Sequence, residues 1–465
     1  MAKIVGKPSG YDGPIPEFTP NKGSAGRKKI VFVGASYLFV HRVVRDLILV
    51  GGFNECLIVI HDIDEIPLKL VGDLVERMAR QAETKIEVSR TLDRAEALRN
   101  ADAVLLSITI GGLESDCRSF EVCAKYGIRQ GIGDTLGPPA LARNLRTVPF
   151  VVQLVREMER LCPKAVLLNF TNPMSVVTCA AARFSSIPTF GLCHSADALF
   201  EYFASVFGCK KAEVELDLGG VNHQAFVTRL TVTGTERTAE ILKRTSESDA
   251  ELEDKLLGHK EDVKLQQDVF KILGVWPSCG EDHLAEFYPF FFTERRREQL
   301  KMHSRFEVVP GRQPLGRKEP NPLLRDWAYG PEGVGDMHLL TNEHAHELMW
   351  AVFTGEPFTR VLNVLNKGGL IECLPDDACV EALVTVKGTL IQGEPMRLPP
   401  AAHSLVQRWT TIHDLSIKAA TECDRQAALQ ALFLDPHLRD LYDIEPMLED
   451  FLTALKPWMP GGWYK

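Results

Sequence analysis

The chain has 465 residues, of which 45% are hydrophobic and 25% charged, a composition typical of a folded protein of two or three domains. Its net charge of -9 disfavours a nucleic-acid surface, which needs a concentrated basic face. No apolar run approaches the roughly 18 residues of a membrane helix, and the N-terminus does not resemble a signal peptide. The 11 cysteines include no CxxC pair. We therefore expect a cytoplasmic protein with reduced thiols and no nucleic-acid or membrane partner.

The first part of the chain alternates between predicted strands and helices. Residues 1–28 are rich in Gly, Pro, Lys and Ser and predict a flexible N-terminal extension. Lys29–Val33 is a short β-branched run, typical of a buried parallel strand. The elements predicted after it are a helix at 39–50, a strand at 56–60, a helix at 67–84 and strands at 86–88 and 101–107. This order predicts an α/β fold with a Rossmann-like, doubly wound parallel sheet.

The second part of the chain has a different pattern. A long helix is predicted at 141–162, followed by strands at 165–169 and 189–193. Beyond Gly219, residues 227–232 alternate between apolar and polar side chains, as antiparallel strands do. We place the boundary at residue 195, which predicts a Rossmann-like domain at 29–195 and an α+β domain at 196–465.

A turn of small residues, Gly34-Ala35-Ser36, follows the first strand. Such a turn lets backbone N–H groups approach a pyrophosphate at a helix N-terminus, although the full GxGxxG pattern is absent. Asp62 ends the second strand, where an acid would accept hydrogen bonds from a ribose 2′-hydroxyl and favour NAD over NADP. An ordinary α/β turn with a surface acid is the alternative.

Two segments carry soft or borderline metal ligands. Cys193-His194 is followed thirty positions later by His223, and a thiolate with an imidazole suits a divalent transition metal. Two protein ligands would leave positions open for substrate. The same residues are equally consistent with a buried thiol and core histidines.

Two further segments are candidates for chemistry. Asn172 lies just past a predicted strand, where α/β sheets bind ligands, and a simple turn is the alternative. The segment 280–287 holds Glu281, Asp282 and His283 beside apolar residues, which could supply a general base. A solvated loop would explain it as well.

Taken together, these segments resemble glycoside hydrolase family 4. The similarity runs from about residue 29 to residue 434. The matching segments are 29–36, 61–65, 110–112, 120–123, 134–138, 145–149, 172–174, 191–195, 221–223, 366–371 and 374–381. The resemblance implies a lactate- or malate-dehydrogenase-like architecture and an NAD-dependent glycosidase, a known exception to hydrolysis by two carboxylates.

The resemblance implies two cofactors and a redox-assisted mechanism. NAD⁺ would oxidise the sugar at C3, which acidifies the C2 proton, and elimination of the aglycone and addition of water would follow. A divalent metal, Mn²⁺ in our prediction, would be held by Cys193 and His223 and would polarise the C3 oxygen. Asp282 is our choice for the general base and Glu281 the next.

The resemblance also assigns the remaining site residues. The predicted cofactor-binding residues are Gly34, Ala35, Ser36, Asp62, Ile110, Gly111 and Asn172. The predicted substrate-binding residues are Asn172, His194, Asn222 and His283. His194 is also a candidate catalytic residue, and Asp134 is a possible acid or supporting group near the cleft.

The motif Cys193-His194-Ser195 resembles the α-galactosidase branch, although Ala196 stands where that branch usually has Val. The predicted substrate is therefore an α-galactoside, and a uronide, a glucoside or another modified hexoside is the principal alternative. The sequence is also compatible with an NAD-dependent hydroxy-acid dehydrogenase and with a non-catalytic nucleotide-binding sensor. A homodimer or homotetramer is expected from the resemblance.

Overall fold

The computed structural model describes residues 23–128, 130, 132–247, 264–292, 322–341 and 343–465, without the side chains at positions 197, 281, 282, 291 and 292. Within these residues the strands are β1 (Lys29–Val33), β2 (Leu57–His61), β3 (Glu87–Thr91), β4 (Ala103–Leu106), β5 (Val166–Asn169), β6 (Thr189–Gly191), β7 (Val214–Val221), β8 (Gln224–Val232), β9 (Thr235–Glu236), β10 (Trp276–Pro277), β11 (Phe358–Leu365), β12 (Cys379–Lys387) and β13 (Leu390–Gln392).

The helices cover the faces of the sheet and its edges. Those in the described residues are α1 (Val40–Val50), α2 (Glu65–Gln81), α3 (Arg94–Leu98), α4 (Gly112–Lys125), α5 (Gly137–Leu161), α6 (Met174–Arg183), α7 (Asp197–Phe207), α8 (Ile241–Glu247), α9 (Lys264–Leu273), α10 (Glu281–Phe287), α11 (Pro322–Tyr329), α12 (Ala345–Thr354), α13 (Pro400–Glu422), α14 (Arg425–Leu434) and α15 (Ile444–Ala454). Several boundaries have a local cause. Asp64 caps α2 by accepting from the Ile66 N–H, and Gly51, at φ 71°, follows the end of α1.

The first six strands form the predicted parallel sheet, in the order β3-β2-β1-β4-β5-β6. This is the strand order of dinucleotide-binding folds, in which ligands bind at the carboxyl ends of the strands. Alternate residues of β1 face opposite sides of the sheet, so Ile30 and Phe32 join one core cluster, whereas Val31 and Val33 join another. The Rossmann-like fold is confirmed.

The sheet continues past β6 into antiparallel strands. Asn363 of β11 pairs with Gly191 of β6, and β12, β7, β8 and β10 follow in that order. These strands pack with helices as an α+β arrangement, around a third core cluster that contains Tyr202 and Trp276. One continuous sheet thus joins both parts of the chain, and the division at residue 195 stays a prediction.

The end of the predicted N-terminal extension packs onto the fold. Residues 1–22 lie outside the described part of the chain. The Ala25 N–H donates to the Gly52 carbonyl over 2.8 Å, and Arg27 pairs with Glu87. Residues 25–27 therefore contact the fold, and the flexible extension at 1–28 stays a prediction. In the described residues, no helix is long and apolar enough to cross a membrane.

Candidate active site

The turn between β1 and α1 requires glycine at its first position. Gly34 has φ +104°, and a Cβ atom there would lie 2.1 Å from the carbonyl oxygen of Ser107. The Gly34 N–H donates to the His61 carbonyl over 2.8 Å, which links the turn to the end of β2. The chain therefore passes very close to the strand ends, as a pyrophosphate-binding turn must.

Asp62 lies next to this turn, as predicted. One carboxylate oxygen accepts a hydrogen bond from the Ala35 N–H over 2.7 Å, and the other accepts from the Asp64 N–H over 3.0 Å. The turn, the acid and the start of α1 thus form one contiguous surface, which suits a dinucleotide. Tyr37, which follows the turn, is partly buried and packs against the core.

The loop between β4 and α4 contains the other predicted cofactor residues. The Ile110 carbonyl accepts from the Ser115 hydroxyl over 2.8 Å and from the Arg146 guanidinium over 3.1 Å. Gly111 has φ +78°, and a Cβ atom there would lie 2.7 Å from the Trp458 ring. Packing of the C-terminal segment thus accounts for glycine at position 111, independently of any cofactor.

Cys193 and His223 meet in the structure although 30 positions separate them. Cys193 follows β6, and His223 lies in the two-residue connection between β7 and β8. The Cys193 Sγ and His223 Nε2 atoms are 3.8 Å apart. Metal–sulfur and metal–nitrogen bonds of roughly 2.3 and 2.1 Å allow both atoms to bind one ion at this separation.

The surroundings of His223 keep its ring neutral. Burial lowers its pKa, an effect that the charges of Glu381 and Asp134 oppose and that of His194 reinforces. Its Nδ1 atom is buried and has no hydrogen-bond partner among the described residues. A neutral imidazole is the form that binds a metal ion.

Two further histidines lie near His223. The His283 ring stacks on the His223 ring, with centroids 3.8 Å apart and an angle of 12° between the planes. His194 is exposed, and its charge acts on the pKa of His223. His283 thus lies at the predicted metal site, and His194 lies near enough for its charge to act on His223.

Asp134 and Asn172 form a pair at the same site. The Asn172 amide donates to the Asp134 carboxylate over 2.7 Å. Burial would raise the pKa of Asp134, but the charges of Arg143 and His283 and this hydrogen bond lower it below its usual value. At neutral pH the carboxylate is therefore ionised. The carboxylate can accept a hydrogen bond, and its role as an acid or a supporting group near the cleft stays a prediction.

Asn222 was predicted to bind the sugar, and the nitrogen of its side-chain amide is held within the protein. Its side chain is buried, and the amide donates to Glu381 Oε1 over 2.9 Å. Its backbone N–H donates to the Ser175 hydroxyl over 3.2 Å. The amide nitrogen thus donates to another part of the protein, whereas the amide oxygen has no hydrogen-bond partner among the described residues. The predicted sugar contact of Asn222 stays a prediction.

The predicted general bases, Asp282 and Glu281, have side chains outside the described residues, although their backbone begins α10. The same helix carries Glu286, which is buried and accepts from the Ile132 and Gly133 N–H groups over 2.8 Å each. This contact fixes α10 against the loop that carries Asp134.

Sequence reasoning missed three acidic residues of this region, Glu286, Glu381 and Asp116. Asp116 pairs with both Arg143 and Arg146, beside Asp134 and the Ile110 carbonyl. Glu381 and Glu286 each interrupt an apolar run. Burying a charged residue costs free energy unless the charge is paired. A Glu within an apolar run could therefore have been singled out from the sequence.

In the described residues, no group of three or more His, Cys, Asp and Glu side chains is arranged to hold a metal. Within the described part of the chain, the candidate centre thus consists of Cys193 and His223. A thiol and a neutral imidazole whose Nε2 atom faces the sulfur fit a divalent transition metal, and substrate or water would complete its coordination.

Comparison with known proteins identifies the family of this chain. A model of family 4 glycosyl hydrolases matches residues 29–208, and a model of the C-terminal domain of that family matches residues 218–438. An α-galactosidase of Bacillus subtilis is 30% identical over 447 residues, covering 93% of this chain and 99% of that protein. An α-galacturonidase of Thermoanaerobacter italicus is 26% identical and covers 93% of this chain and 97% of its own.

Solved structures share the fold across nearly the whole chain. A 6-phospho-β-glucosidase of Thermotoga maritima, solved with manganese, NAD⁺ and glucose-6-phosphate, is 22% identical with a TM-score of 0.72, covering 93% of this chain and 99% of that one. A 6-phospho-α-glucosidase from gut microorganisms, in complex with NAD and Mn²⁺, is 19% identical with a TM-score of 0.77 and the same coverage. The family models and the Bacillus relative together show that this chain belongs to glycosyl hydrolase family 4.

Proposed function

We propose that this family 4 enzyme is an NAD- and divalent-metal-dependent α-galactosidase. The observation that carries the proposal is the approach of Cys193 Sγ to His223 Nε2, at 3.8 Å, beside a dinucleotide-type turn. A lactate-type dehydrogenase needs no such pair. A sensor with a decayed site would have no reason to keep it.

Bound NAD⁺ and metal would supply reversible oxidation of the sugar at C3 and Lewis-acid stabilisation of charge on the C3 oxygen. Cys193 would act as a thiolate and His223 as a neutral imidazole in holding the metal. Mn²⁺ is the ion that we propose, because it occurs in the related structures. Gly34, Ala35, Ser36 and Asp62 would bind the dinucleotide with the backbone of Ile110 and Gly111.

The residues around this pair would bind the sugar. Asp134 would accept a hydrogen bond from a hydroxyl group through its ionised carboxylate, and Asn172 would orient that carboxylate. His194 and His283 would contact further hydroxyls, since both lie next to His223. Asp282, or else Glu281, at the start of α10, would remove the C2 proton. The aglycone would then leave from C1 with the electrons of the C1–O bond, and water would add at C1.

A neutral hexoside is the substrate that we propose. In the described residues, the Arg143 and Arg146 guanidiniums both pair with Asp116, which partly offsets their charge. The α-galactosidase relative, at 30% identity, and the Cys193-His194-Ser195 motif support the same choice. A galacturonide is the main alternative, since galacturonidases are also relatives.

Release of nitrophenol from a panel of nitrophenyl glycosides would test the proposal. The panel would contain α-galactoside, α-glucoside, α-galacturonide and the 6-phosphoglucosides, with Mn²⁺, NAD⁺ and a thiol reductant, and then with each additive omitted. We expect hydrolysis of the α-galactoside that requires both cofactors and accumulates no NADH. Net formation of NADH would indicate a dehydrogenase instead, and activity without metal would overturn the proposal.

Two expectations about the state of the protein belong with this proposal. We expect a homodimer or homotetramer, which light scattering of the purified protein would measure. We also expect a cytoplasmic location, because the metal pair needs a reduced thiol.

A further inference from the structure

The connection between β7 and β8 places a metal-ligand candidate in an unusual backbone conformation. Val221 pairs with Gln224, so only Asn222 and His223 form the turn. His223 has φ 64°, in the left-handed region that side chains other than glycine rarely occupy. Such a conformation persists only when the surroundings hold it, and it tends to occur at functional sites.

Asn222 is held from two directions. Its backbone N–H donates to Ser175 of α6, and its side-chain amide donates to Glu381 Oε1 over 2.9 Å. Glu381 lies on the adjacent strand β12, where it pairs with Gly220 of β7. The contact therefore joins the turn to the interior of the sheet.

Glu381 is itself firmly placed. Its side chain is fully buried, and Oε1 also accepts from the amide of Asn363 over 3.2 Å. Asn363 is the residue opposite Glu381 on β11, the strand that joins β6, and β6 leads to Cys193. One carboxylate oxygen thus connects the His223 turn to the strands that lead to Cys193.

We propose that Glu381 is a positioning residue, which fixes the Asn222-His223 turn so that His223 faces Cys193 at metal-binding distance. The inference rests on the proposed function, because it assumes that Cys193 and His223 bind the metal. Residues that orient metal ligands from behind typically change metal affinity by about 10- to 100-fold when they are removed.

The test is metal binding by the full chain, measured for wild type and its variants. Calorimetry would give the affinity for Mn²⁺. Titration with Co²⁺ would follow the thiolate-to-metal charge-transfer band, which reports on Cys193 directly. Neither readout depends on turnover. NAD⁺ affinity and thermal stability would show whether each variant is folded.

Two substitutions at position 381 separate positioning from charge. Glu381→Gln keeps a carbonyl acceptor for Asn222, and we expect its Mn²⁺ affinity to remain within about threefold of wild type. Glu381→Leu removes the acceptor, and we expect an affinity loss of about 10- to 100-fold with NAD⁺ affinity unchanged. Asn222→Ala should reproduce the loss if Glu381→Leu does not fold.

Asn363→Ala is the matched control, because it removes the other hydrogen bond of Glu381 and leaves the Asn222 contact intact. We expect its metal affinity to remain within about threefold of wild type, because the bond from Asn363 supports the Glu381 side chain only in part. Equal affinity in Glu381→Leu and wild type would overturn the positioning role. An equally large loss in Glu381→Gln would also overturn it, since the charge or direct ligation would then matter. Absence of metal binding in wild type would instead refute the proposed function.

Discussion

Gly34 and His223 both have positive φ, +104° and 64°, and each lies at a turn beside a predicted cofactor site. At position 34 the backbone comes so close to Ser107 that no side chain fits. At position 223 a side chain is present and points to Cys193, and the turn around it is held by hydrogen bonds to Asn222. One turn is thus determined by the residue that occupies it, and the other by neighbours distant in sequence.

This difference affects what each turn can tolerate. The Gly34 turn depends on a local property, the absence of a Cβ atom, so one substitution at that position should disrupt it. The His223 turn depends on several contacts, each of modest strength, so its failure should be graded. Substitutions at and around the two turns would test this contrast.

The largest effect is expected at Cys193. Cys193→Ser should reduce Mn²⁺-dependent nitrophenol release by about 1,000-fold or more, because a Lewis acid stabilises the reacting charge by several kcal/mol. Mn²⁺ affinity should fall in parallel. Cys279→Ala is the matched control, since this buried thiol lies close by and its pKa is raised well above its usual value, as burial favours the neutral form. A Cys193→Ser enzyme with full, metal-stimulated activity would refute the ligand assignment.

The second effect concerns the glycine turn. Gly34→Ala places a Cβ atom 2.1 Å from the Ser107 carbonyl oxygen at φ +104°. We expect NAD⁺ affinity to fall by about 10- to 100-fold, measured by calorimetry, because the backbone must shift away from the strand ends. Gly51→Ala is the control, since Gly51 also has positive φ but open space around it. Equal losses in the two variants would show that the close approach at position 34 is unimportant.

The third effect is a dependence of thermal stability on pH, which arises from a buried histidine on α1. Burial lowers the pKa of His41, on α1, to about 3, and the charges of Arg42 and Arg45 act in the same direction. A pKa lower in the folded than in the unfolded state contributes stability above about pH 6.5, and this stability is lost as the pH falls towards 3. The loss is about 1 kcal/mol per pH unit for one ring.

His41→Leu should therefore flatten the change in melting temperature between about pH 7.5 and about pH 5.5, measured by calorimetry in both buffers. The variant has no ring to protonate at that position, while the other buried histidines remain. An identical decrease in wild type and variant would exclude His41 as a source of the acid sensitivity.

The smallest effect is expected at Ser175. Ser175→Ala removes the acceptor of the Asn222 N–H and leaves the Glu381 contact in place. We expect Mn²⁺ affinity to fall by only about threefold, in line with the net strength of one hydrogen bond. A loss as large as that of Glu381→Leu would contradict the view that several contacts share the support of the His223 turn.

The parallel half of the fold could be predicted from sequence with good accuracy. Strands β1, β2, β4 and β5 are continuous β-branched or aliphatic runs because both of their faces are buried. The edge strand β3 was placed less well, at 86–88 instead of Glu87–Thr91, because its partly exposed residues show no clear apolar run. The long helix was predicted at 141–162 and begins at Gly137, since prolines at positions 138 and 139 fit a first helical turn.

The candidate site could be predicted only in part. The resemblance identified Cys193, His223, Asp134 and Asn172, and the structure brings the members of each pair together. It gave no indication that the Asn222 amide faces Glu381. The lowered pKa of Asp134 was also beyond sequence reasoning, since it results from the charge of Arg143, nearby in sequence, and from that of His283, which lies far along the chain.

Properties that are local along the chain could be read from the amino-acid sequence alone. These are the continuous apolar runs of the buried strands, the glycine turn at position 34, the acid at position 62, and the order of motifs that identifies the family. The partners of the polar groups emerged only from the folded chain: Cys193 with His223, Asn222 with Glu381, and Asp116 with its two arginines. Burial and proximity set pKa values and hydrogen bonds, and both arise only when distant segments pack together.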